Sequence, residues 1–154
     1  MTEDHFEIRT AQVTDIETLK EFEQGVIAYE RSFASNLKKD PISYYNLKDL
    51  IERTDAQLLV LVIKNKIVAS GYALIKKSPP YKNPEFHAYL GFMYVTPSHR
   101  GKGLNGILCK ELIEWAKQQN ITEVQLDVYA ENESALSAYK KIGFKSDLLK
   151  MRLK

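Results

Sequence analysis

Apolar positions along the chain switch between two periods. Ile16, Leu19, Phe22 and Val26 recur at helical spacing, and Thr14-Asp-Ile-Glu17 stands before them as a capping box. A first helix is predicted there, with Thr14 at the N-cap and Glu17 three residues on. Residues 6–9 read as a short strand ahead of it. Leu47, Leu50 and Ile51 share one face of a second helix over 43–53. The period then drops to two. Residues 57–64 (QLLVLVIK) and 67–76 are strand-forming runs joined by a turn at Asn65-Lys66, a β-hairpin. Three prolines between Ser78 and Pro84 force a loop. Residues 86–95 (FHAYLGFMYV) form a long strand ended by Pro97. Leu104, Leu108, Leu112 and Trp115 mark a helix over 103–119, residues 122–128 a strand, and 134–142 a short helix stopped by Gly143. From Phe144 to Leu153 one or two further strands are expected. Hairpins come first and a strand–helix–strand crossover follows. The fold class is therefore α/β with a mixed, mostly antiparallel central sheet flanked by helices, not a doubly wound parallel sheet.

Composition narrows this. A chain of 154 residues reads as one domain, 1–154. Its 44% hydrophobic and 27% charged residues exclude disorder as the main state. The lone cysteine, Cys109, excludes an internal disulfide, and no Cys/His cluster suits a metal. The opening Met1-Thr-Glu-Asp-His-Phe6 is acidic and lacks the apolar core of a signal peptide, and no apolar run is long enough to span a membrane. A cytoplasmic protein without membrane partners is expected. The net charge of +2 argues against a nucleic-acid-coating role. Charge is nevertheless uneven: residues 1–30 carry eight acids and two bases, residues 77–154 twelve bases and eight acids.

The densest chemistry lies in Val95-Thr-Pro-Ser-His-Arg-Gly-Lys-Gly-Leu-Asn-Gly106. This glycine-rich stretch joins a strand to a helix. Its backbone N–H groups and the positive end of the helix dipole suit a phosphate or pyrophosphate, and Arg100 and Lys102 add positive charge. Gly101 and Gly106 have the spacing of a nucleoside-triphosphate loop, but Ile107-Leu108 occupy the places of the Lys-Ser/Thr pair. Gly101, Gly103 and Gly106 satisfy G-x-G-x-x-G. A dinucleotide site, however, needs its first glycine directly after the strand, and five residues intervene here.

Coenzyme A fits better. Val95-x-Pro97-x-x-Arg100-Gly-x-Gly103 resembles motif A of the GNAT superfamily of acyl-CoA-dependent N-acyltransferases, with its Gln/Arg-x-x-Gly-x-Gly/Ala core. Arg100 and Gly103 match. Asn105 stands where the family has Gly or Ala. About 30 residues on, Asn132-x-x-Ala135-x-x-x-Tyr139-x-x-x-Gly143-Phe144 resembles motif B at every position. Ile8-Arg-Thr-Ala11 and the first helix resemble the family's opening, so the resemblance spans nearly the whole chain.

The resemblance implies a sheet splayed at the coenzyme-binding strands and acetyl-CoA as co-substrate. It implies that backbone at Met93 and Val95 pairs with the pantetheine arm, and that Arg100, Gly101, Lys102, Gly103, Leu104 and Asn105 cradle the phosphates. Asn132 would bind the coenzyme arm, or cap its helix, or both. Tyr139 would protonate the leaving thiolate; the alternative is a packed tyrosine on a short helix. His87 is the candidate general base, its ordinary pKa near 6.5 suiting that role. Alternation places it on one strand face with Tyr89, Gly91 and Met93; a surface strand histidine is the alternative. His99 is assigned to phosphate or solvent, and Glu85 and Asp127 are weaker base candidates. Glu23, Tyr29, Glu30, Tyr44, Tyr45 and Tyr81 would line an acceptor site.

The favoured reading is an acetyl-CoA-dependent N-acetyltransferase acting on a primary amine, small or amino-acid-like, by direct attack. A protein N-terminus or lysine is the enzyme alternative, and a non-catalytic coenzyme-A-binding module is the alternative from another class. Relatives that pair through C-terminal strands make a homodimer one assembly the resemblance allows.

Overall fold

The computed structural model describes residues 5–154; Met1–Asp4, part of the acidic opening, lie outside the described residues. Five strands form one sheet in the order β1-β2-β3-β4-β5. They are β1 (Phe6–Thr10), β2 (Ala56–Ile63), β3 (Lys66–Lys77), β4 (Phe86–Val95) and β5 (Val124–Leu126). The first four pair antiparallel, and β5 joins β4 in parallel. Helices α1 (Ile16–Glu30) and α2 (Leu47–Glu52) precede the hairpin, α3 (Leu104–Gln118) makes the crossover, and α4 (Glu133–Ile142) follows β5.

Alternation along the strands divides the core in two. One cluster joins Leu59, Leu61 and Leu90 of the sheet to Leu104, Leu108, Cys109 and Leu112 of α3. The other joins Leu58, Val60, Tyr72 and Phe92 to Leu19 and Phe22 of α1 and Leu47 and Leu50 of α2. Each fully buried aliphatic side chain stabilises the fold by about 1.5–3 kcal/mol.

Several predicted boundaries move. The Thr14–Glu17 box does not form. Asp15 instead accepts a hydrogen bond from the Gln12 N–H at 2.7 Å, and Val13–Asp15 make a 3₁₀ turn before α1. Asp15 also holds Arg9 through two hydrogen bonds, of 2.7 and 3.0 Å, so its carboxylate serves β1 as well as the helix. The second helix starts later than expected, because Asn46 caps it by accepting from the Asp49 N–H. The hairpin turn sits at Lys64-Asn65, both in left-handed backbone conformations.

Residues 144–154 contain no strand, against expectation. Alternating apolar residues suffice for a strand only when an edge receives them. Here Leu148, Leu149, Met151 and Leu153 are exposed. The tail instead reaches the segment after α1, where the Arg152 guanidinium donates to the Ser35 hydroxyl at 3.3 Å.

Candidate active site

The site begins where the sheet comes apart. β5 pairs with β4 only from Ala88 to Leu90, whereas β4 runs on to Val95. Beyond Leu90 one edge of β4 therefore has no strand beside it. The Thr96 N–H bonds to the Val68 carbonyl on β3, so strand alternation turns the peptide groups of Val95 and Met93 toward that open edge. The Val95 carbonyl there accepts from Arg100 Nε at 2.9 Å.

A bulge sets the geometry at this point. Tyr72 pairs with Gly91 and Ser70 with Tyr94, so Phe92 and Met93 together oppose Gly71. Phe92 has φ 55°, a left-handed conformation that a bulky residue adopts only under constraint. The buried Ser70 hydroxyl donates to its carbonyl at 3.1 Å. The extra residue also inverts the alternation. Tyr89 packs in the α1/α2 cluster, while Met93 packs in the α3 cluster. The expected shared face of His87, Tyr89, Gly91 and Met93 therefore breaks before Met93.

The glycine loop closes the coenzyme end. Pro97–His99 form a 3₁₀ turn, and Gly101 and Gly103 follow with φ 81° and 78°. A Cβ at either glycine would meet nothing within 4 Å, so the space above the loop is open to a ligand. The first intrahelical bond of α3 runs from the Ile107 N–H to the Gly103 carbonyl. The amides of Leu104, Asn105 and Gly106 are thus left without intrahelical partners at the positive end of a 15-residue helix. These groups fit a pyrophosphate. Arg100 contributes less directly, its Nε being held by Val95 and its guanidinium lying 5.5 Å from the Tyr94 ring centre.

Tyr139 lies across from the loop on α4, half-buried, its ring edge-on to Phe144 at 5.9 Å. Burial pushes its hydroxyl up to about 12, the neighbouring Cys109 thiol adds to the effect, and a hydrogen bond from the Asn105 side chain opposes it. The hydroxyl is therefore protonated at neutral pH and able to donate. Burial likewise pushes the Cys109 thiol up to about 12, so it is a packing residue and not a nucleophile. Asn132 is buried and caps α4, its Oδ1 accepting from the Ala135 N–H and the Tyr29 hydroxyl, both at 3.2 Å. The amide N–H₂ is the half of that side chain left for a ligand.

Other expected site residues are engaged elsewhere. His87 is buried, sharing a 3.0 Å hydrogen bond with the Ser78 hydroxyl, so it is not a surface histidine. It stands four residues before Gly91, about 13 Å along the strand, outside the splayed segment. His99 turns back on its own loop, with Nδ1 within 2.9 Å of the Thr96 hydroxyl and 3.0 Å of that of Ser98. Asp127 accepts from the Tyr89 hydroxyl at 2.9 Å. Glu85 and Tyr81 are exposed on their loop. The buried Glu23 is structural: its Oε2 accepts the N–H groups of Tyr44 and Tyr45 at 2.9 and 2.7 Å, tying that segment to α1.

Two shallow hollows lie off the cleft, one between β1 and α3, the other along the outer face of α4. Neither includes Tyr139 or the glycine loop. Among the described residues no group of His, Cys, Asp and Glu is arranged to hold a metal ion, and no helix is long and apolar enough to cross a membrane.

The model of the Acetyltransferase (GNAT) family matches residues 22–144. N-alpha-acetyltransferase 30 of Saccharomyces cerevisiae is 25% identical over 127 residues, covering 77% of this chain and 72% of that one. Mycothiol acetyltransferase of Renibacterium salmoninarum is 28% identical over 118 residues, covering 73% of this chain but 34% of its own length. Among solved structures, a mutant of the BH1408 protein from Bacillus halodurans superposes with a TM-score of 0.87 at 21% identity, covering 96% of this chain and 98% of the other. A predicted acetyltransferase with acetyl-CoA from Clostridium acetobutylicum gives 0.79 at 21% identity, over 97% and 96%.

Proposed function

The chain belongs to the GNAT acetyltransferase family, and from that premise we propose that it acts as one domain over 1–154 that moves an acetyl group from acetyl-CoA to a primary amine by direct attack. The observation that carries the reading is the departure of β5 from β4 after Leu90, which opens a backbone edge between the glycine loop and Tyr139. The amides of Leu104, Asn105 and Gly106 hold the pyrophosphate. Peptide groups of Met93 and Val95 receive the pantetheine arm, and the amino half of Asn132 borders it. The single cysteine suits a reducing, cytoplasmic setting.

The neutral amine attacks the thioester carbonyl, the C–N bond forms and the C–S bond breaks. Tyr139 donates a hydrogen bond to the departing sulfur and follows with its proton. A positioned acid or base of this kind contributes roughly 10²–10⁴-fold. His87, held through Nδ1 by the Ser78 hydroxyl, is the base of this reading.

A protein N-terminus is the second acceptor class. Two relatives named N-alpha-acetyltransferase 30, from Saccharomyces cerevisiae and Schizosaccharomyces pombe, favour it by matching 77% and 75% of this chain. The test is release of free thiol from acetyl-CoA in the presence of small primary amines and short peptides with free N-termini. Thiol release with one class assigns the acceptor. Tight coenzyme binding without thiol release for any amine contradicts the enzyme reading and favours a binding module.

A further inference from the structure

Asn132, which borders the coenzyme arm in the reading above, is held by a residue 103 positions earlier. The Tyr29 hydroxyl, on the last turn of α1, donates to Asn132 Oδ1 at 3.2 Å, and the Ala135 N–H donates to the same oxygen at 3.2 Å. Two donors occupy both lone pairs of that carbonyl oxygen. The amide cannot turn over, because its N–H₂ would then face the Ala135 N–H, donor against donor. Both amide hydrogens are thus left on the side away from Tyr29 and from the backbone of α4. Asn132 is buried, whereas the Tyr29 ring is 48% exposed, so the contact closes the rim of the cleft and fills no core.

The end of α1 and the turn before α4 meet a second time through rings alone. Tyr29 packs edge to face on Phe33 at 5.5 Å, and Phe33 stacks on Tyr129 at 6.4 Å. That stack already fastens the two segments. The Asn132 N–H donates to the Tyr129 carbonyl at 2.9 Å, which fixes the turn from the backbone. A helix cap needs one donor to its side-chain oxygen, and Ala135 supplies it. Neither fastening nor capping therefore requires the Tyr29 hydroxyl. What the hydroxyl adds is a second hydrogen bond to an amide carbonyl, which locks the amide and polarises its N–H₂ into a stronger donor.

Resting on the acetyl-transfer reading above, we propose that Tyr29 is a positioning residue for the coenzyme. Through Asn132 Oδ1 it aims the Asn132 N–H₂ at a carbonyl of the pantetheine arm, without touching the coenzyme itself. Tyr139 follows Asn132 by seven residues, about two turns along α4. An arm fixed at Asn132 thus runs along the helix that carries the proton donor. Tyr29, expected to line the acceptor site, serves the coenzyme instead.

The test is calorimetric titration of acetyl-CoA, and separately of adenosine 3′-phosphate 5′-diphosphate, which keeps the pyrophosphate and lacks the arm. The proteins are wild type, Tyr29→Phe, Asn132→Asp and the double variant. Asp at 132 still caps the helix but has no N–H₂ to give the arm. Tyr29→Phe is expected to weaken acetyl-CoA binding about 3- to 5-fold and to leave the armless ligand within about 1.5-fold. Asn132→Asp should weaken acetyl-CoA about 10-fold, and adding Tyr29→Phe to it should cost less than about 1.5-fold more. Unchanged acetyl-CoA affinity in Tyr29→Phe overturns the proposal. So do equal losses for the two ligands, which mark a purely structural staple, and a full Tyr29→Phe loss that persists in the Asn132→Asp background. Failure of wild type to bind acetyl-CoA overturns the acetyl-transfer reading itself, an outcome distinct from the other three.

Discussion

In the proposed reading the groups that would meet the coenzyme are backbone: the open edge of β4 at Met93 and Val95, and the free amides that start α3. At the proposed acceptor end they would be side chains, such as Tyr44, Tyr129 and Phe33, drawn from three segments. Backbone donors recognise what every coenzyme A molecule shares, so their geometry is fixed by two left-handed glycines and a bulge. Side chains on connecting segments recognise what differs between acceptors, and they change without disturbing the sheet. The two ends should therefore respond independently to substitution.

The largest expected effect is at the backbone end. Gly103→Glu places a negative charge over the phosphate cradle and strains a backbone at φ 78°. Coenzyme affinity should fall at least about 100-fold, equivalent to about 2.7 kcal/mol, while Tyr129→Ala leaves it unchanged. Equal losses in the two variants would dissolve the distinction. At the junction, Tyr139→Phe should lower kcat by about 10²-fold with little change in coenzyme affinity, since a donor and not a binding surface is removed. Wild-type turnover would end its role as acid.

Asp15→Asn tests a region outside both ends. Hydrogen bonding to Arg9 chiefly holds the Asp15 carboxyl below its usual range. A depressed carboxylate stabilises the fold above its unfolded pKa, and that contribution disappears as pH falls through the folded value. The variant should lose about 1–3 kcal/mol at pH 7, less in acid, and keep coenzyme affinity. Denaturant melts at the two pH values measure this.

Asn105→Ala sharpens the comparison at smaller scale. Its amide opposes the rise in the Tyr139 hydroxyl, so removal should push that hydroxyl higher and slow turnover several-fold. Ultraviolet titration of tyrosinate, read against Tyr139→Phe, would detect the shift. Smallest is Glu30→Gln on stability. The Glu30 carboxyl is raised by burial, so the folded state holds its proton more tightly, and stability declines as pH rises from the unfolded value through the folded one. The variant should be slightly more stable than wild type at pH 7. A purely structural Glu30 would give the reverse sign in the melt.

What could be read from the sequence follows the same division. The strand–loop–helix with Gly101 and Gly103, and the run from Asn132 to Phe144, are local patterns, and the structure packs their helices, α3 and α4, against each other. The bulge at Phe92 was not legible, because it depends on Gly71 and Ser70 of the neighbouring strand. Without it, alternation placed His87 and Met93 on one face. The last strands failed for a related reason: Leu148 to Leu153 alternate suitably, but a strand exists only with an edge to join. Glu23 and Glu30 look equivalent in the sequence. Only the fold reveals that Glu23 is consumed by the Tyr44 and Tyr45 amides.

The most direct measurement is a structure of the protein bound to acetyl-CoA. The account predicts the pyrophosphate on the amides of Leu104, Asn105 and Gly106, and the pantetheine arm along Met93 and Val95. It also predicts the thioester sulfur at the Tyr139 hydroxyl. A coenzyme lying elsewhere, or a sulfur away from Tyr139, would contradict it.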